Sequence, residues 1–215
     1  MEIYDSEEAQ VDALKRWWKE NYLATVVGLL MGGVLILGWN FWQNYKATQS
    51  AQAATQYGQI LKAILEDNDK SAEKLAMLTQ EQYKSTAYSA LSALLEAKIK
   101  VKQGDLAGAK QILEKTSASA DAEISHIAKI RLARLMLASG EYEQGLQLIN
   151  KIDPATIAGF APNYDELVGD FYVALDRLDE ARTAYQNALR NGGRSPLLQI
   201  KLDDLVAPEK VESIK

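Results

Sequence analysis

The sequence predicts an all-α protein: one transmembrane helix near the N-terminus, followed by a stack of helical hairpins. Three observations carry this. Residues 23–42, LATVVGLLMGGVLILGWNFW, contain no charged side chain. Beyond them apolar residues recur at helical spacing, prolines number only four, and no segment is rich in Val, Ile and Thr. Finally, a pattern of small residues, a turn and a bulky residue returns at a 36-residue spacing.

The apolar stretch is long enough to span. At about 1.5 Å of rise per residue, it crosses a hydrocarbon core of roughly 30 Å. A lone segment in lipid must satisfy its backbone internally, so it must be helical. Trp17, Trp18 and Tyr22 stand before it, and Trp39, Trp42 and Tyr45 close it, as interfacial belts do. A cleaved signal peptide would have a shorter apolar core, and Ala51-x-Ala53 lies too far beyond Trp42 to serve as its cleavage site. The stretch therefore reads as an uncleaved anchor in the lipid bilayer.

Lys15, Arg16 and Lys19 precede the span, whereas only Lys46 follows closely. This bias predicts a short cytoplasmic segment over 1–22, the membrane helix over 23–42, and a domain over 47–206 outside the cytoplasm. In a bacterium this means the inner membrane and the periplasm. Ala24, Gly28 and Gly32 form one stripe of small residues on the span. Such a stripe lets another membrane helix approach closely, either a second copy in a homodimer or a member of a larger complex. Glycine is also simply more frequent in membrane helices, which is the plainer reading.

Composition excludes several functions. The chain of 215 residues has a net charge of −5 and no block of Lys or Arg, so nucleic-acid binding is not expected. Cysteine is absent, which removes disulfides, thiolate metal sites and cysteine nucleophiles. His126, the single histidine, has no second imidazole or thiolate with which to hold a metal, and reads as a packed or surface residue. No phosphate-binding, hydrolase or metalloprotease motif occurs. Neither catalysis nor a cofactor is expected.

The remaining elements follow in order. A helix over 47–66, continuous with the span, is broken by Glu66-Asp67-Asn68-Asp69. Further helices are expected over 71–83, 85–103, 106–115, 121–139, 142–152, 163–176, 179–191 and 196–205, with a polar tail over 207–215. Asp153-Pro154 stops one helix, Pro162 opens the next, and Asn191-Gly192-Gly193 ends another. The last helix is expected to cap the stack.

Gly104-Asp105-Leu106, Gly140-Glu141-Tyr142 and Asp176-Arg177-Leu178 mark three equivalent turns. Ala97, Ala133 and Gly169 precede them; Ala109, Gly145 and Ala181 follow; then come Leu113, Ile149 and Tyr185. Two closely crossing helices need small residues at their crossing, and a bulky residue one turn later fills the gap to the next pair. This pattern resembles the tetratricopeptide repeat, with departures: the early aromatic and closing proline are missing, and Glu96 occupies a position that is usually apolar. The predicted domain is therefore a tetratricopeptide-like α-solenoid.

Solenoids of this kind bind partners on the surface formed by their first helices. Repeat register places Lys98, Arg134 and Asp170 at one equivalent position, with Asn163 and Glu166 nearby. They are candidate groove residues, or ordinary helix-surface charge. Leu94, Ile130 and Leu137 are expected on the same side, unless they belong to the core.

The opening MEIYDSEEAQVDALKRWWKENY, the glycine-bearing span ending in GWNFWQNY and the degenerate repeats resemble the YfgM family along essentially the whole chain. That family comprises ancillary subunits of the bacterial SecYEG translocon. The resemblance implies a periplasmic repeat domain tethered beside the translocon. It also implies association with a membrane-anchored prolyl-isomerase-type chaperone, and help in passing translocated chains to other periplasmic chaperones. The rival expectation is a membrane-anchored scaffold for cell-division or cell-wall enzymes.

Overall fold

The computed structural model describes residues 7–205, excepting the side chains of 7–9 and 158. The expected tail over 207–215, and the first six residues on which part of the family resemblance rests, lie outside the described residues. Those described are helical, without a strand: α1 Glu7–Leu65, α2 Asp69–Gln82, α3 Ala87–Lys102, α4 Leu106–Ser117, α5 Ala122–Ala138, α6 Tyr142–Asn150, α7 Pro154–Ile157, a 3-10 turn Ala158–Phe160, α8 Ala161–Ala174, α9 Leu178–Arg190 and α10 Pro196–Asp204. The chain divides after Ala51 into two compact units.

The first unit is helical from Glu7 onward. Among the described residues, one helix is long and apolar enough to cross a membrane, within Gln10–Leu65, with a mean hydropathy of 2.0 in its most apolar stretch. Its large apolar side chains, Leu29, Leu35, Leu37 and Phe41 among them, are exposed. Apolar surface on this scale needs lipid or another helix to cover it. The polar residues at its entrance bond back to the helix, Asn21 Nδ2 donating to the Trp17 carbonyl at 2.9 Å and Thr25 Oγ1 to the Asn21 carbonyl at 2.9 Å. At the other end Lys46 Nζ lies 3.9 Å from the centre of the Trp42 ring.

The second unit is built on the 36-residue pattern. The three turns share one backbone form. Gly104, Gly140 and Asp176 take positive φ values of 82°, 77° and 57°. The next amide in each case donates back to the preceding helix, Asp105 to Lys100, Glu141 to Met136 and Arg177 to Tyr172, at 2.9, 2.9 and 2.8 Å. This is a left-handed helix stop, which glycine adopts without strain. The hairpins α3–α4, α5–α6 and α8–α9 follow from it.

All nine repeat positions are buried. An added Cβ on Gly145 would meet the Phe171 ring at 2.1 Å, and one on Gly169 would meet the Tyr185 ring at 2.2 Å. The small residues are therefore seats for rings. Phe171, fully buried, fills the gap between the second and third hairpins. Tyr185 packs over its own hairpin and onto Leu198 of α10.

Leu94 and Ile130 are core residues, 3% and 7% exposed, and Leu137 packs against the same cluster. They belong to the interior of α3–α8 and do not line an open groove. A separate cluster joins Ile60 and Ala63 of α1 to Ala72 and Ala76 of α2 and Ile99 of α3. Each fully buried Leu, Ile or Phe in these clusters contributes about 1.5–3 kcal/mol.

Candidate protein-binding surfaces

The expected groove residues separate in the structure. Lys98 and Arg134 are exposed on α3 and α5, and Asn163 is exposed in the first turn of α8. Glu166 and Asp170, one turn apart on α8, are half-buried and converge on Lys201 of α10. Lys201 Nζ donates to Glu166 Oε1 at 2.8 Å and to Asp170 Oδ1 and Oδ2 at 2.7 and 2.9 Å. Tyr185 Oη adds a fourth bond, to Asp170 Oδ1 at 2.8 Å.

Electrostatics follow this geometry. Burial alone would lower the Lys201 ammonium, but its hydrogen bonds to Asp170 and Glu166 outweigh that and raise it. Burial, with the Asp170 carboxylate beside it, pushes the Tyr185 hydroxyl well above its usual range. At this end of the repeats the chain supplies its own cation.

A second surface lies at the other end. Residues of α2, α3, α4 and α5, with the α2–α3 and α4–α5 connections, line a groove of about 940 Å³. Ala93, Thr116 and Ile124 form its buried part, together with Glu96. Sequence reasoning did not assign this groove. The signal was present, because Glu96 is the acidic residue at a repeat position that is usually apolar.

His126 is buried, its Nδ1 2.9 Å from Tyr164 Oη and its ring stacked on Phe160 at 5.1 Å. Burial raises the Tyr164 hydroxyl to about 12. Among the described residues no three His, Asp or Glu side chains are grouped to hold a metal ion. On the span, an added Cβ at Gly28 or Gly32 would meet nothing within 4 Å, so the stripe with Ala24 stands uncovered by the described chain.

These features define a membrane-anchored helical repeat protein. The chain belongs to the tetratricopeptide repeat-like domain family, whose model matches residues 15–207. The family is a protein-interaction domain, and the chain is not an enzyme. A protein of Haemophilus influenzae named "Ancillary SecYEG translocon subunit" is 27% identical over 202 residues, 93% of this chain and 97% of that one. Relatives of the same name in Aggregatibacter actinomycetemcomitans and Escherichia coli are 29% and 27% identical, covering 93% and 95% of this chain and 97% and 99% of theirs. A solved structure titled "MamA RS-1 ArsTM double mutant" shares the fold, with a TM-score of 0.54 at 14% identity over 71% of this chain and 82% of that one.

Proposed function

We propose that this protein is a single-pass inner-membrane accessory of the SecYEG translocon. In this reading its N-terminus is cytoplasmic and its repeat domain periplasmic. The domain binds chaperones, including a membrane-anchored prolyl-isomerase type, and helps hand over translocated chains. The observation that carries the reading is full-length likeness to relatives of that name, span and repeats together, rather than repeats alone. The lysine and arginine bias before Leu23 supports the orientation. The Ala24, Gly28 and Gly32 stripe supports a docking face on the span, and we assign it to a translocon helix ahead of a second copy.

Co-purification of the full chain in mild detergent tests this. Translocon subunits and periplasmic chaperones are expected in the complex; a complex lacking both contradicts the reading. A reporter active only outside the cytoplasm, fused after Lys215, is expected to give signal, and silence there would reverse the topology.

A further inference from the structure

A buried carboxylate is ordinarily matched by a cation, because protein must replace the water it has lost. Glu96 is 8% exposed and forms no ion pair among the described residues. Its one hydrogen bond comes from a neutral donor, Gln80 Nε2, to Oε2 at 2.5 Å. Oε1 receives no hydrogen bond from the described protein and is not sealed from solvent; Glu96 lines the groove. Gln80 also donates to the Ala76 carbonyl at 3.2 Å, which fixes its amide beside the carboxylate.

The rest of the groove does not neutralise this charge. Glu81, Lys84, Lys115 and Asp121 also line it, but all four are exposed at the rim and none forms an ion pair with Glu96, so the charged lining keeps a net charge of −1 with Glu96 as its buried member. Ala90, Ala93, Ile112 and Ile124, with Met77, form the apolar part of the lining. A metal ion would find one carboxylate where several oxygens are needed. A long basic side chain fits better: its methylenes pack on the wall while its head reaches the carboxylate.

The geometry points to a recognition site for a lysine or arginine side chain within an extended, otherwise small and apolar protein segment. The site rests on the reading of the repeat domain as a protein binder and is independent of which complex the span joins. The opposite end supplies an internal parallel, where Lys201 occupies the carboxylates of Glu166 and Asp170. Glu96 is placed to receive from a partner what Glu166 and Asp170 receive from α10.

The test uses the full chain in mild detergent without translocon. Fluorescence anisotropy compares a labelled peptide of alternating Ala and Leu carrying one central lysine with the same peptide carrying norleucine. Wild type is expected to prefer the lysine peptide by about tenfold or more, as befits a hydrogen bond between charged groups. Glu96→Gln, which keeps the size and the Gln80 contact, is expected to bring the two peptides within about twofold while the norleucine affinity stays unchanged. Equal binding of both peptides to wild type, no binding of either, or a lysine preference surviving Glu96→Gln overturns the proposal. Ala90→Phe guards against a folding defect in that variant: it leaves the carboxylate in place, fills the groove and is expected to remove both peptides. Unchanged binding there also overturns it. Translocon co-purification is read separately, so loss of one claim does not decide the other.

Discussion

The two ends of the repeat stack treat buried acid differently. At the C-terminal end, Glu166 and Asp170 are closed over by α10, with Lys201 between them and the Tyr185 hydroxyl on Asp170. At the N-terminal end, Glu96 sits beside an amide, facing a groove whose two lysines, Lys84 and Lys115, lie at the exposed rim and form no ion pair with it. One end is a finished cap, and the other retains an unmet electrostatic demand. A solenoid needs its terminal faces covered to be stable, so the last helix serves folding and the opposite groove is free to serve binding.

The largest expected effect tests how firmly the closed end is built. Phe171→Ala should lower unfolding free energy by about 3–5 kcal/mol, because the cavity over Gly145 cannot collapse onto a residue with no side chain. Met77→Ala, at the exposed rim of the open groove, should change it by less than about 0.5 kcal/mol. Urea unfolding of the two variants checks both. Similar losses would erase the contrast between a packed end and an open one.

The next pair predicts a difference in sign. Lys201→Met leaves two half-buried carboxylates without their cation and should destabilise by about 1–2 kcal/mol. Glu96→Leu removes a buried charge that no cation matches, so stability should hold or rise by about 1 kcal/mol. A clear loss in Glu96→Leu would mean that the carboxylate is structural.

A smaller effect concerns alkaline pH. Tyr164 is raised from 10.0 to about 12 by burial, and Tyr185 is also raised, by burial and by Asp170. The folded state thus keeps protons that the unfolded chain releases, so this stability is complete below about pH 10 and is lost as pH rises towards the folded values. The urea midpoint should fall between about pH 10 and pH 12, and Tyr185→Phe should flatten the fall. A midpoint that is level across that range in wild type contradicts the assignment.

Much of the architecture was legible because it is local. The helix ends lie within a few residues of their expected positions, since Pro162, Gly104, Gly140 and Gly192 act on the backbone where they stand. The nine repeat positions were legible because crossing helices demand small residues at fixed spacing. Pairings between distant helices were not. Nothing in the pattern announces that Phe171 enters the seat at Gly145, or that Lys201 reaches Glu166 and Asp170 on α8. Register assigns Asp170 the same repeat position as Lys98 and Arg134, but register does not reveal which of them α10 will engage. The short turn Pro154–Ile157 and the stacking of Phe160 on His126 escaped for the same reason: they depend on tertiary packing, not on periodicity.

Site-specific photo-crosslinking in cells tests the difference between the two ends most directly, with the probe placed at Ala90, which lines the same groove as Glu96, or at Asn163 on α8. Adducts to translocating or chaperone polypeptides are expected from Ala90, reduced by Glu96→Gln, with few from Asn163. Adducts from Asn163 equal to or stronger than those from Ala90, or Ala90 adducts indifferent to Glu96→Gln, would contradict that difference.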